Sequence, residues 1–210
     1  MIDVSNILLS SRAFKTAAIT DAFHNLLIHS ANNDPSITVI VNSVKEGKMH
    51  PKIIELQQRL KQLGFNNVAL LDVLHDDLSI LNQTSLVILN GGYQFYLLHC
   101  LKKSGAFNLL KERIKDGMPV YGISAGALVL GPDINMYQYL YPEDNWFADT
   151  DLSAIGATKI RIYPHFDQHI QLDPQLANKL RHWEIVKNQT ITRLTNQEAL
   201  LIENDRVIKL

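Results

Sequence analysis

The sequence predicts an α/β protein built on a mostly parallel sheet with helices on both faces. Three observations carry this. Short apolar runs alternate with amphipathic stretches as far as Leu130. The short runs are apolar almost throughout, as strands buried on both faces are. Small residues follow two of them, Gly91-Gly92 and Gly122-Ile123-Ser124-Ala125-Gly126, at strand ends where such sheets place ligand chemistry.

The elements follow in chain order. Residues 6–10 (NILLS) read as a strand, and 13–29 (AFKTAAITDAFHNLLIH) as a helix from the 3–4 spacing of apolar positions. Residues 36–44 (SITVIVNSV) are β-branched and read as a buried strand. Residues 51–63 form an amphipathic helix, with Pro51 at its start and Gly64 just past its end. Strands follow at 67–73 and 85–90, the second running into Gly91-Gly92. Helices at 93–103 and 107–115 close at Asp116-Gly117, and 119–123 is the next strand. A helix at 125–130 ends at Gly131-Pro132. Residues 131–153 break the pattern: they are aromatic and acidic, and read as an ordered lid over a site. A strand at 159–163 leads into Pro164-His165-Phe166, and 174–186 is a helix. Strands at 190–194 and 198–210 complete the chain, the latter with a hairpin at 203–205. Without repeats, low-complexity tracts or a linker, residues 1–210 read as one domain.

Composition narrows the function classes. Of 210 residues, 46% are apolar, enough for one sizeable core. A formal net charge of −1 and a pI near 6.7 leave no basic excess for nucleic acid. Cys100 is the single cysteine, which excludes an intrachain disulfide and fits a reducing compartment. No apolar run approaches membrane-spanning length, and the first residues do not read as a signal peptide. A cytoplasmic protein without membrane or nucleic-acid partners is expected.

Gly-x-Ser-x-Gly at a strand-to-helix junction suits a nucleophile. A sharp turn exposes the Ser124 hydroxyl, glycines two places either side relieve collisions, and the Ala125 N–H faces a tetrahedral oxyanion. The pattern turns up by chance in roughly one chain in fifteen of this length, so its weight lies in its position. A serine nucleophile needs a base. Of eight histidines, His24, His29, His99 and His182 lie in helical patterns, and His50 and His75 at other junctions. His165 follows a strand end and comes after Ser124. In the chain order Ser…acid…His, the acid is open among Glu143, Asp144, Asp149 and Asp151. Asn90-Gly91-Gly92 offers backbone N–H groups for a second oxyanion donor. A metal-dependent alternative rests on His165-x-Asp167-x-His169, which lacks a full ligand set, and no metal is expected.

The segments ILNGGYQFYLL, GISAGA and YPHF together resemble the serine peptidase family of dipeptidase E and cyanophycinase. The resemblance spans most of the chain and is firmest from Leu86 to Phe166. It implies a class I glutamine amidotransferase-like three-layer sandwich and a serine-type peptidase acting on short peptides without a cofactor, and it leaves a homodimer open. It implies Ser124 as nucleophile, His165 as base, Asp144 as acid, and Gly92 with Ala125 as the oxyanion hole. Three departures stand out. Asn90 replaces the first glycine of the family's run, and Tyr93 the asparagine after it. The stretch FDQHIQLDPQ after His165 lacks the Gly-Glu-Thr-Arg-like segment of members specific for N-terminal aspartate, so that specificity does not carry over. A binding module that has lost catalysis is the other reading these departures leave.

Overall fold

In a computed structural model, which describes residues 6–27, 34–204 and 206–210, a seven-stranded sheet forms the centre. The leading residues, His29 with the end of its helix, and Asp205 lie outside the described residues. The strands are β1 (Asn6–Ser10), β2 (Ile37–Ile40), β3 (Val68–Leu71), β4 (Leu86–Leu89), β5 (Val120–Ile123), β8 (Ala199–Glu203) and β9 (Arg206–Lys209), in the order β3-β2-β4-β5-β1-β8-β9. The first five run parallel. β8 is antiparallel to β1, and β9 to β8. A separate parallel pair joins β6 (Arg161–Tyr163) to β7 (Ile191–Arg193).

Alternation along the strands divides the core. Ile7, Leu9, Val87, Leu89 and Val120 pack on one face. There they meet α3 (Gln94–Ser104), α4 (Ala106–Lys115), α5 (Ala125–Val129) and α8 (Leu176–Lys187). Leu8, Leu86, Ile88 and Tyr121 pack on the other, against α1 (Ala17–Asn25) and α2 (Pro51–Gln62). Both sides of the sheet are covered, so its inner parallel strands β1, β2, β4 and β5 are apolar almost throughout, whereas the edge strand β9 is exposed. This is the expected class I glutamine amidotransferase-like sandwich.

Most expected elements are present, with ends set by local chemistry. α1 starts four residues later than the periodicity suggests, because the Thr16 side chain accepts the Ile19 N–H at 3.3 Å and caps it there. Two helices went unread. α6 (Asn135–Leu140) lies in the segment expected to be a loop, and α7 (Phe166–Leu172) starts directly after His165.

At the end of β5 the chain turns sharply into α5. Ser124 sits at φ 49°, ψ −109°, a conformation that costs a non-glycine residue about 1–3 kcal/mol. The flanking glycines let α5 lie this close. A Cβ on Gly126 would fall 1.9 Å from the Leu89 carbonyl oxygen, and one on Gly122 would fall 2.6 Å from the Ala127 Cα. Gly126→Ala therefore has to push α5 off β4. We expect a loss of about 3 kcal/mol or more, at the upper end of overpacking effects, or failure to fold. Gly64→Ala meets no atom within 4 Å and opposes only a left-handed backbone, so its urea midpoint should fall much less.

Candidate active site

β1, β4 and β5 end together, and a cavity of about 750 Å³ opens above them. Its walls include Ser124, His165 and Gly92, together with Arg12, Lys15, Lys52 and Arg59 against one carboxylate, Glu55. The basic wall comes from the segment after β1 and from α2.

Ser124 is held by its backbone: its N–H donates to the Ser10 carbonyl at 2.8 Å. The next residue of β1's extension reaches the other side. The Ser11 hydroxyl accepts the His165 N–H at 3.2 Å and donates to the Leu194 carbonyl at 3.2 Å. His165 adopts a left-handed backbone at φ 58°, which turns its ring back towards β5. Nε2 then lies 2.9 Å from Ser124 Oγ. Burial holds the imidazole pKa below the usual histidine range. The Asn196 hydrogen bond and Asp167 push it up; Arg12 and Lys52 push it down.

The third partner differs from the expected one. His165 Nδ1 lies 2.5 Å from Asn196 Oδ1. Asn196 stands three residues beyond β7, and His165 two beyond β6, so the parallel β6–β7 pair delivers both to one place. Asp144 is corrected accordingly. It ends a 3-10 turn, Pro142–Asp144, where burial and Glu143 raise its pKa, and it makes no hydrogen bond to His165. Asp149 instead bonds His99 at 2.9 Å, and Asp151 pairs with Lys102 at 2.8 Å. The aromatic segment is likewise no roof to the cavity. Phe147 stacks on His99 at 3.8 Å, and Trp146 packs on Tyr93 at 4.8 Å, so both are spent on α3 and its approach.

The glycine turn after β4 has a clear geometry. The Gly91 carbonyl accepts hydrogen bonds from Ser43 Oγ at 2.9 Å and Asn90 Nδ2 at 3.1 Å. In a trans peptide the N–H opposes the carbonyl, so these two side chains turn the Gly92 N–H the other way. That N–H meets no protein acceptor among the described residues. A Cβ at Gly92 would lie 2.3 Å from the Ser43 carbonyl oxygen, so only glycine fits. Ala125 begins α5, and its N–H has no intrahelical acceptor. Asn90, a departure from the resembled pattern, thus has a structural task. Asn90 stands out in the sequence as a member of the turn, but its side-chain task and that of Ser43 do not; their polar side chains at the ends of two apolar strands were the available signal.

The three residues of the metal reading diverge. His165 Nε2 faces Ser124, His169 Nδ1 faces the Tyr163 hydroxyl at 2.9 Å, and Asp167 accepts the Asn196 backbone N–H at 2.9 Å.

Comparison with known proteins agrees with this architecture. The chain is 26% identical over 163 residues to an uncharacterized peptidase of Pasteurella multocida (strain Pm70), covering 74% of this chain and 77% of the relative. It is 30% identical over 115 residues to Peptidase E of Haemophilus influenzae, covering 53% of this chain and 49% of that one. A crystal structure from Listeria monocytogenes EGD-e, provisionally described as a peptidase E, superposes with a TM-score of 0.78 at 24% identity. That superposition covers 99% of this chain and 98% of the other, and it shows the shared fold. The family model for peptidase family S51 matches residues 7–210, and the chain belongs to that family.

Proposed function

We propose that this peptidase hydrolyses short peptides through an acyl-enzyme formed on Ser124. The observation that carries the reading is the 2.9 Å approach of His165 Nε2 to a serine hydroxyl held at a strained elbow. His165 takes the Ser124 proton as Oγ attacks the peptide carbonyl carbon. The carbonyl oxygen becomes an oxyanion, met by the N–H groups of Gly92 and Ala125; each such donor is worth about 3–4 kcal/mol in a preorganised site. The imidazolium then protonates the leaving amine as the C–N bond breaks. Water, deprotonated by His165, cleaves the ester and restores the serine. Asn196 holds the imidazole in place.

The four cations around the cavity favour peptides that carry a carboxylate. The cavity volume, about 750 Å³, suits a peptide of a few residues rather than a folded chain. The peptidase E name carried by the H. influenzae relative agrees with a peptide substrate.

Ser124→Ala should lower turnover of a responsive dipeptide by about 10⁶-fold or to background, and abolish labelling by a fluorophosphonate probe. A panel of dipeptides and β-aspartyl peptides, scored on wild type and on this variant, checks it; hydrolysis persisting in the variant would reject the serine mechanism. The pH dependence follows from His165. The base works only when neutral, and its pKa lies below the usual histidine value. Activity should therefore persist as pH falls through about 6.5, the ordinary histidine midpoint, and drop only below it. An acid-limb inflection of kcat/KM above that value, assigned to His165, would contradict this environment.

A further inference from the structure

We infer that Arg12 is a positioning residue for this chemistry: its guanidinium orients the Asn196 amide and thereby fixes the tautomer of His165. The inference rests on the reading of His165 as the base for Ser124.

An amide in the third place poses a problem that a carboxylate does not. Both oxygens of a carboxylate accept, whereas an asparagine has one accepting and one donating end. With oxygen towards Nδ1, that nitrogen carries the proton and Nε2 offers a lone pair to Ser124. With the amino group towards Nδ1, the proton moves to Nε2, and the ring donates to the serine instead of receiving from it. The second arrangement is inert. Where an asparagine introduced at this place in a serine protease leaves the wrong tautomer, turnover falls about 10⁴-fold. Something must choose between the two.

Arg12 makes that choice. The Asn196 atom that lies 2.5 Å from His165 Nδ1 lies 2.9 Å from Arg12 Nε. A guanidinium has only donors and stays protonated. The atom shared by Arg12 and His165 must therefore be an acceptor, the amide oxygen. Turning the amide over would set an amino group against a cationic N–H. The same side chain settles the far end. Arg12 Nη2 donates to Gln168 Oε1 at 3.3 Å, and that oxygen faces Asn196 Nδ2 at 3.4 Å. One arginine thus orients two amides in a consistent chain. Asp167 holds the backbone of the loop through the Asn196 N–H at 2.9 Å.

The position of Arg12 in the chain adds to this. It directly follows Ser10, whose carbonyl holds the Ser124 N–H, and Ser11, whose hydroxyl holds the His165 N–H. Three consecutive residues at the end of β1 and just beyond it therefore fix nucleophile, base and orienter. As a charge Arg12 works against protonation of His165, with Lys52; Asp167 favours it, and the His169 ring lies 5.6 Å away. The orienting role differs from this field effect and is separately measurable.

The test compares wild type, Arg12→Met, Asn196→Asp and the double variant, all full length, with thermal unfolding as a folding control. Two readouts are needed: steady-state kinetics on a dipeptide substrate, and ¹⁵N NMR of His165 in the resting enzyme above its pKa, assigned by difference from His165→Ala. Wild type should show the proton on Nδ1. Arg12→Met should shift His165 towards the Nε2-protonated form and lower kcat at least about tenfold, within the 10⁴-fold ceiling of a wrong tautomer; any accompanying rise in KM reports the separate loss of one cation from the cavity wall. In the Asn196→Asp background, whose carboxylate has no donating end, Arg12→Met should change kcat less than about threefold. Three results would overturn the inference: an unchanged tautomer in folded Arg12→Met, a rise in KM with kcat intact, or the same kcat loss in both backgrounds. The tautomer is read without substrate. Retained hydrolysis by Ser124→Ala would thus remove the proposed function while leaving the orientation result to be judged on its own.

Discussion

The contact between α5 and the end of β4 is the constraint on which the site depends. A Gly126 Cβ would lie only 1.9 Å from the Leu89 oxygen, so the helix backbone rests directly on the strand backbone. This closeness leaves the chain no relaxed path from β5 into α5, and Ser124 takes up the turn at φ 49°. A strained residue persists only where its surroundings over-determine it. Here the surroundings are the apolar strand before it, the helix after it and the Ser124 N–H bond to Ser10 at 2.8 Å. The same geometry starts α5 at the residue directly after the serine, so the first free N–H of the helix belongs to Ala125. The proposed nucleophile and one proposed oxyanion donor are consequences of a single packing contact.

The proposed base arrives from a different structural unit. β6 and β7 form their own parallel pair, outside the main sheet, and their carboxyl ends carry His165 and Asn196. Ser11 locks that unit to the sheet, bonded to both the His165 N–H and the Leu194 carbonyl, while the Phe166 N–H donates to the same carbonyl at 3.0 Å and ties the two ends of the unit to each other. Every member of the constellation thus stands at or just beyond a strand end, and its precision comes from paired strands rather than from loops.

The main sheet and the elbow were legible because their signals are local. β4 and β5 are short apolar runs, and the glycine spacing around Ser124 marks the turn without knowledge of the rest. His165 was also readable, as a polar residue after a strand and a proline. Asn196 was not, for three physical reasons. It lies 31 residues beyond its partner, with α7 and α8 between. Its closeness to His165 depends on a parallel pairing that no spacing announces. And the chain order serine, acid, histidine points to carboxylates before His165. The acidic residues found there have other work: Asp149 and Asp151 fasten the aromatic segment to α3 through His99 and Lys102. Aromatic and acidic composition correctly signalled order in that segment but not its direction.

An amide beside the imidazole changes the electrostatics of the whole site. A carboxylate there would stabilise the imidazolium and pair with Arg12, placing its charge inside a wall that already carries Arg12, Lys15, Lys52 and Arg59. It would thus neutralise part of the field proposed to attract an anionic peptide. Asn196 keeps the orienting hydrogen bond and leaves that field intact. In the proposed mechanism the cost falls on the transition state, where the imidazolium has a neutral oxygen rather than a charge at Nδ1. Asp167, whose charge favours protonation of His165 and whose carboxylate holds the Asn196 backbone, offsets part of that cost from one step further away. The site therefore separates two tasks that one acid usually combines: Asn196 fixes the direction of the ring, and a more distant carboxylate supplies charge.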